Sequence, residues 1–210
     1  MVRGAHEFDT RPHIEALASI AENSKEYQGH GWGFAWLEGN AWRMYHDIRP
    51  VWEDDFNDFP KTKALVVHAR SAFRDEGIVV ENNMPFGDEQ LVFAFNGELR
   101  GVRVKAEGRI GAEKIFNYIK RFDKGDIQQA LTKGTDVINK RTRYVRAMNI
   151  VMASADQGLV SSHFGEDPEY FQLRTLDEDG LSIVCSEVYP GSDEAKWGKV
   201  ENGTTYSVEN

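Results

Sequence analysis

The sequence is short of cysteine and of positive charge, and it contains no long apolar run. A single cysteine, Cys185, excludes a disulfide bond within the chain and favours a reducing, cytoplasmic setting. Lys and Arg number 25 against 34 Asp and Glu, and a net charge of -9 argues against a nucleic-acid partner, which needs a basic face. No segment approaches the roughly 20 apolar residues that cross a membrane, and the opening MVRGAHEFDTRPH lacks the apolar core of a signal peptide. We therefore expect a cytoplasmic protein with no membrane or nucleic-acid partner.

The composition that remains is that of a folded domain. The chain has 210 residues, 40% of them hydrophobic, which is enough for one buried core, so we expect a single domain over residues 1–210. Apolar residues at helical spacing predict helices at residues 11–24, 109–122 and 126–140. The aromatic segment at residues 29–48 predicts a hairpin with its turn near Glu38 to Asn40.

Further strands are predicted where short apolar runs are bounded by turn residues. These runs are residues 64–69, 91–95, 148–154, 158–164, 169–174, 181–187 and 204–209. Because helices and strands come in separate runs, the order favours an α+β fold over an alternating α/β fold. The Gly, Asp and Asn residues between the last strands are typical of an antiparallel meander.

The stretch FAFNGELRG, residues 93–101, has two interpretations. Asn96-Gly97 is a strong hairpin signal, because both residue types tolerate a positive φ. Alternatively, the Asn96 side-chain amide and the Gly97 N–H at the end of a strand provide paired donors for a developing oxyanion. The dipeptide alone leaves both interpretations open.

Two further polar residues precede this stretch in the apolar run VVHAR. A guanidinium such as that of Arg70 matches a carboxylate in a bidentate manner, although an ordinary ion pair would use the same residue. His68 in a buried strand is either a hydrogen-bonded core residue or part of a binding site. The six His residues are scattered without ligand spacing, so we expect no metal and no other cofactor. Cys185, in an apolar strand, is expected to act as a small hydrophobic residue.

Five short motifs follow one another along the chain: HGWGFAW at 30–36, VVHARSAF at 66–73, ENNMPF at 81–86, FAFNGEL at 93–99 and IVCSEVYP at 183–190. In this order and spacing they resemble the glutaminase domain of class II glutamine amidotransferases, from about Gly29 to Val208. This resemblance implies the N-terminal nucleophile hydrolase fold, a four-layer αββα sandwich of two mainly antiparallel sheets. Ser71 and Phe73 differ from the Trp and Thr of synthase-linked members, so the chain looks closer to the stand-alone branch.

The resemblance also implies roles for individual residues. Arg70 would hold the α-carboxylate of glutamine, and Asn96 with Gly97 would form the oxyanion hole. His68 and Glu98 are further candidates for substrate binding. Ammonia would be passed to a separate synthase partner, because the chain has no room for a synthase domain.

The chain departs from the family at two positions. The family nucleophile is an N-terminal Cys whose own α-amino group acts as base, whereas the second residue here is Val2. Either Val2 has replaced the Cys, or Met1-Val2-Arg3 is the middle of a strand whose Met-Cys-Arg opening lies upstream. Gly111 stands where the family has the Asp that binds the substrate ammonium, and Glu187 or Glu98 is a candidate substitute.

Three functional hypotheses follow from these motifs and departures. The first is a stand-alone amidotransferase-like enzyme that hydrolyses glutamine or a related γ-glutamyl amide and releases ammonia. The second is a catalytically silent binding or regulatory module that keeps the fold and binds a small carboxylate at Arg70. The third is an amidohydrolase of the same fold with a different amide substrate. Gly111 favours the second and third hypotheses, whereas Arg70 and the pair Asn96-Gly97 favour the first and third.

Overall fold

The computed structural model describes residues 1–55, 57–72, 74 and 76–208. The helices are α1 (Arg11–Glu22), α2 (Gly111–Lys120), α3 (Ile127–Lys140) and α4 (Pro168–Phe171). The strands are β1 (Val2–Asp9), β2 (Trp32–Glu38), β3 (Ala41–Asp47), β4 (Lys61–Ala69), β5 (Phe86–Gly87), β6 (Val92–Val102), β7 (Thr142–Ala153), β8 (Gly158–Ser162), β9 (Arg174–Glu178), β10 (Leu181–Cys185), β11 (Gly198–Lys199) and β12 (Thr204–Val208).

The strands form two sheets in which the described pairings are antiparallel. The larger sheet has seven strands in the order β11-β9-β10-β1-β4-β2-β3, and the smaller has five in the order β12-β8-β7-β6-β5. The N-terminal strand β1 therefore lies in the centre of the larger sheet, between β10 and β4. This position brings the start of the chain into the middle of the molecule.

The two sheets pack face to face, and helices cover their outer faces. Side chains alternate along β2: Phe34 packs with Ile14 of α1 on the outer face, whereas its neighbour Ala35 packs with Val92 of β6 between the sheets. On the outer face of the smaller sheet, Phe116 of α2 lies in one cluster with residues of α3, β6 and β7. The order of layers is therefore helix, sheet, sheet, helix, which confirms the predicted α+β, four-layer αββα sandwich.

The ends of the helices have local causes. The Asp126 side chain accepts a hydrogen bond from the Gln129 N–H, 2.8 Å away, and so caps α3. Thr10 precedes α1, but its hydroxyl donates to the Pro60 carbonyl oxygen, 2.8 Å away, instead of capping the helix. Thr10 therefore attaches α1 to the chain that leads into β4.

The hairpin at residues 29–48 is confirmed as β2 and β3, with Gly39 at a φ of 62° in the turn. The predicted strand at 169–174 is wrong. Pro168 and its successors form α4 instead, because the fixed φ of proline suits the first turn of a helix. The predicted meander is also wrong, since α4 carries the chain from β8 in the smaller sheet to β9 in the larger one.

The strand predicted at 91–95 extends from Val92 to Val102, and it contains Asn96-Gly97 in its middle. The hairpin-turn interpretation of this dipeptide is therefore wrong. Asn96 lies opposite Asn149 of β7, and Gly97 lies opposite Met148. Two residues of predicted segments, Phe73 and Glu209, lie outside the described residues.

Candidate functional site

A cavity of about 140 Å³ lies at the N-terminal end of β1. One side is lined by residues of α1, on the outer face of the larger sheet, and the other by Asn96 and Asn149 of the smaller sheet. The cavity therefore passes through the plane of the larger sheet. A sheet can be crossed in this way only where two strands are separated by more than one strand spacing, which is about 4.8 Å.

The register of β1 explains where the sheet opens. Val2 lies opposite Leu65 of β4 and Ile183 of β10, and Met1 exchanges hydrogen bonds of 2.8 Å with Val184. Beyond Met1, β4 and β10 continue without a strand between them. We call this space the inter-strand gap, and the residues that flank it are Val67, His68 and Ala69 on one side and Cys185, Ser186 and Glu187 on the other.

Asn96 faces the cavity from β6, beside its cross-strand neighbour Asn149. The Asn149 amide is fixed, because it donates to the Phe171 carbonyl oxygen at 2.7 Å and accepts from the Ser162 hydroxyl at 3.0 Å. Side chains opposite each other on one face of an antiparallel pair have Cβ atoms about 5 Å apart. Asn149 therefore forms a rigid wall next to the Asn96 amide.

Gly97 adopts a φ of 155°, where side chains are strained. A Cβ atom at this position would lie 2.1 Å from the Ala147 carbonyl oxygen on β7. The ladder between β6 and β7 shifts its register immediately afterwards, between Glu98 and Leu99. Only glycine fits here, and the irregular backbone next to Asn96 is a feature of bulges that redirect a side chain.

His68 lines the cavity from β4. Burial lowers the pKa of its ring to about 4; the main-chain oxygen of Phe95 opposes this shift, and the charges of Arg70 and His46 add to it. Within the described residues, its buried Nδ1 has no hydrogen-bond partner. The ring is therefore neutral at pH 7 and has one nitrogen free for a ligand.

Arg70 follows directly after the gap-flanking residue Ala69 and is only 5% exposed. Its backbone is fixed by hydrogen bonds with Gly31 and His30, of 2.9 and 3.0 Å. Burial lowers the pKa of the guanidinium, and its buried Nη1 finds no partner in the described part of the chain. A buried cationic donor without a partner is costly, and an anionic ligand would satisfy it.

Two predicted site residues are placed elsewhere. Glu98 forms ion pairs with Arg100 at 2.5 Å and Arg146 at 3.7 Å, and it is not among the residues that line the cavity. Val2 touches the cavity, but its side chain is 2% exposed and packs in the outer cluster with Ile14 and Trp32. The structure thus brings His68 and Asn96 together in the cavity, whereas Gly97, which follows Asn96, and Arg70, two residues after His68, are not among the described residues that line it.

Sequence reasoning missed the polar residues that α1, α4 and the segments after α1 and β10 contribute to the cavity. Gln28 donates to the Tyr170 hydroxyl at 3.2 Å, and the His13 Nδ1 lies 3.1 Å from the Tyr189 hydroxyl. Burial lowers the pKa of His13 to about 4 and raises that of Tyr189. No local motif connects these residues, because they are distant in sequence and meet only through the packing of α1 on the larger sheet.

The carboxylate of Glu187 also faces the cavity, half-buried at the edge of the gap. Burial raises its pKa. Cys185, beside it, has its thiol pKa raised by burial as well, as expected of a small buried side chain. Among the described residues, no three His, Cys, Asp or Glu side chains cluster in a way that would hold a metal ion. None of the helices within the described ranges combines the length and apolar character needed to span a membrane.

Comparison with known proteins found similar solved structures. A predicted glutamine amidotransferase from Pseudomonas aeruginosa PA01 is 15% identical with a TM-score of 0.63, and the match covers 98% of this chain and 94% of that one. A glutamine aminotransferase class-II domain protein from Silicibacter pomeroyi is 14% identical with a TM-score of 0.63, covering 85% and 87%.

A longer neighbour is the glutamine phosphoribosylpyrophosphate amidotransferase from B. subtilis, which is 16% identical with a TM-score of 0.68. This match covers the whole of the present chain but only 46% of that protein. No family model matches the chain, and no curated protein matches it either. At these identities, the likeness shows the fold alone.

Proposed function

We propose that this chain, which has the fold of the class II glutamine amidotransferases, is a stand-alone glutaminase-type protein that hydrolyses the amide of glutamine or of a related γ-glutamyl amide. The observation that carries the proposal is the cavity at the inter-strand gap. Asn96 lines this cavity beside the path that residues before Met1 would take if they extended β1. We further propose that residues 1–210 belong to a single domain and that the protein acts in the cytoplasm. A separate partner would then accept the ammonia.

The nucleophile is proposed to lie upstream of Met1 and not at Val2. Met1 and Arg3 pack between the two sheets, whereas Val2 packs on the outer face with α1. Because strand side chains alternate, a residue two positions before Met1 would again face the space between the sheets. In the observed register it would lie opposite His68 and Ser186, beside the Asn96 amide. Val2 fits this role less well, since its side chain is directed away from that space.

The proposed chemistry is acyl transfer to a cysteine thiolate. The thiolate attacks the amide carbonyl, the Asn96 amide and Gly97 N–H stabilise the oxyanion, and the carbon–nitrogen bond breaks. The α-amino group takes the thiol proton and returns it to the leaving ammonia. Water then cleaves the thioester and releases the carboxylate product, while the Arg70 guanidinium holds the substrate carboxylate.

The proposal is tested by adding residues to the chain. A variant that begins with Cys two positions before Met1, after removal of an initiator Met, should release ammonia from L-glutamine. Matched controls carry Ala in place of that Cys, or a Cys only one position before Met1, where the side chain would face α1. Activity in neither cysteine variant, or equal activity in both, would contradict the proposal.

The oxyanion assignment is tested in the active variant. Asn96→Ala should lower kcat for glutamine hydrolysis by about 10²–10³, with little change in KM, because the donor acts mainly in the transition state. Asn117→Ala is the matched control, since its amide donates to the Glu107 carbonyl oxygen on the exposed side of α2. Unchanged turnover in Asn96→Ala would remove Asn96 from the oxyanion hole.

Two alternatives remain candidates on the strength of Gly111. Its surroundings are open, with no atom within 4 Å of an added Cβ, so the packing does not require glycine there. A silent carboxylate-binding module would use the unpartnered Arg70 but would stay inactive in every cysteine variant. An amidohydrolase with a different substrate would be active in the same-face variant, with an amide other than that of glutamine.

A further inference from the structure

We infer that Glu187 is the residue that receives the ammonium group of the substrate. This inference rests on the proposed function, since it names the specificity determinant of the same cavity. The substrate class is then an amide of an α-amino dicarboxylic acid, with its α-carboxylate on Arg70 and its α-ammonium on Glu187.

A substrate with an α-ammonium group requires an acidic partner in the cavity, and the first turn of α2 does not supply one. Gly111 begins α2, and neither Gly111 nor any other residue of α2 lines the cavity. The acid of that turn, Glu113, is held by Arg109 through its backbone N–H and its guanidinium, at distances of 2.5 to 3.1 Å. A zwitterionic ligand must find its negative partner elsewhere.

Glu187 is the one carboxylate among the described residues that line the cavity. Within the described part of the chain its carboxylate has no hydrogen bond or ion pair. The other acids near this end of the molecule are occupied: Asp167 pairs with Arg146 at 3.0 Å, and Glu98 pairs with Arg100. A half-buried carboxylate without a partner loses solvation and gains nothing in return, which a bound ammonium would correct.

Glu187 and Arg70 follow the ends of the two strands that flank the inter-strand gap. β4 ends at Ala69, directly before Arg70, and β10 ends at Cys185, two residues before Glu187. Two strands separated by one intervening strand position lie about 10 Å apart. Arg and Glu side chains can span most of that distance from the two edges. The remaining space matches the head group of an amino acid, which carries both charges on one carbon.

A second cleft lies on the far side of Glu187. It is lined by Lys25, Asp167 and Arg174 among others, and it shares Tyr170, Ser186 and Glu187 with the cavity. Glu187 thus stands at the junction of the cavity and the molecular surface. From this position it can select a ligand as the ligand enters.

The test measures binding of L-glutamate and of glutarate, which lacks the amino group, to the chain by calorimetry. The wild-type chain should prefer L-glutamate, and Glu187→Gln should remove that preference, a loss of about 10–100-fold in L-glutamate affinity. Glutarate binding should be unchanged in this variant. Glu187→Asp, which keeps the charge, should retain part of the preference and shows that the effect is not a loss of folding.

The controls separate this inference from the proposed function. Arg70→Ala should abolish binding of both ligands, because it removes the carboxylate partner, and its failure to do so would overturn the carboxylate pocket itself. Glu169→Gln changes an acid that lines only the outer cleft, and it should leave both affinities unchanged. If Glu187→Gln weakens L-glutamate and glutarate equally, or weakens neither, Glu187 is not the ammonium partner, although the carboxylate pocket at Arg70 would stand.

Discussion

At the residue scale, His68, which is half-buried on β4, and Arg70, which is buried just after the end of that strand, each have a buried nitrogen without a hydrogen-bond partner in the described part of the chain. Buried polar groups are usually hydrogen-bonded, so a buried nitrogen without a partner indicates a role such as ligand binding. Their shared neighbourhood affects His68, because the positive charge of Arg70 adds to the burial that lowers its pKa. The pair is thus suited to bind an anion while the imidazole remains neutral.

The neutral state of His68 predicts a stability that depends on pH. Its pKa is about 4 in the folded chain against an ordinary value of 6.5, so between these values the unfolded chain binds more protons. The free energy of unfolding should therefore fall as pH drops from about 6.5 toward 4, by up to about 1.4 kcal/mol per pH unit for one group.

Urea unfolding at pH 7, 6 and 5 measures this dependence. His68→Gln should show a shallower loss of stability than the wild type, because the buried group that resists protonation is gone. His13 contributes a similar slope in both proteins, since burial lowers its pKa to about 4 as well. His6→Gln, a change at an exposed residue of β1, serves as the control. Parallel pH profiles for the wild type and His68→Gln would contradict the assignment.

The site could be predicted from sequence only where the signal is local. Asn96-Gly97 was recognisable as a dipeptide with a special backbone, and resemblance to a family suggested its role. Whether the dipeptide turns the chain or lies within a strand is decided by β7, which is 50 residues away and pairs with both residues. Glu187 was only one of two candidate acids, because one of the two ion pairs that occupy Glu98 depends on Arg146 of β7, which is distant in sequence.

At the element scale, two glycines in helices have opposite surroundings. A Cβ at Gly111, the first residue of α2, would meet no atom within 4 Å. A Cβ at Gly134 in α3 would lie 2.8 Å from Ile119 Cγ1 and 3.1 Å from Ile119 Cα on α2. Gly134 thus allows the two helices to approach closely, whereas Gly111 serves no packing purpose.

This contrast predicts opposite effects of the same substitution. Gly111→Ala should raise the free energy of unfolding by up to about 1 kcal/mol, because it restricts the unfolded chain without a clash. Gly134→Ala should lower it by about 1–3 kcal/mol, because the backbone of α2 must move. Urea unfolding of the two variants, each the control for the other, measures the difference. Equal shifts in both would show that α2 and α3 are not packed as closely as described.

Elements were predictable where apolar periodicity is strong, as in α2 and α3. The segment at residues 169–174 misled because Tyr170, Phe171 and Leu173 form an apolar run typical of a strand. Two of its residues are buried against different partners: Phe171 packs with Phe164, and Leu173 with Val184. A segment that passes from one sheet to the other shows neither helical nor strand periodicity in its apolar residues, because successive side chains pack against different neighbours.

At the scale of the whole molecule, the cavity is a property of sheet register and not of any single motif. It lies where β4, β10 and the N-terminal end of β1 come together. No sequence pattern reports the relative lengths of three strands that are far apart in the chain. The fold class could therefore be predicted from the order of helices and strands, whereas the position of the opening could not.

Arg3 links the two sheets through this same central strand. Its side chain is 1% exposed, and its guanidinium donates to the carbonyl oxygens of Ser154 and Ala155, 3.1 and 3.0 Å away. These carbonyls lie in the turn between β7 and β8. A side chain of the larger sheet therefore forms hydrogen bonds with a turn of the smaller one. Replacing Arg3 by an apolar residue of similar length leaves both half-buried acceptors without these donors.

Arg3→Met should therefore lower the free energy of unfolding by about 1–3 kcal/mol, because two charge-assisted hydrogen bonds to half-buried acceptors are lost. Arg143→Met, at an exposed position of β7, should change it by less than about 0.5 kcal/mol. Urea unfolding is followed by two probes. Tryptophan fluorescence reports on Trp32 and Trp42 in the larger sheet, and far-UV circular dichroism reports on both sheets. If Arg3 couples the sheets, the two transitions coincide in the wild type and separate in Arg3→Met. A loss of stability no larger than that of Arg143→Met would show that the apolar contacts between the sheets hold them together without Arg3.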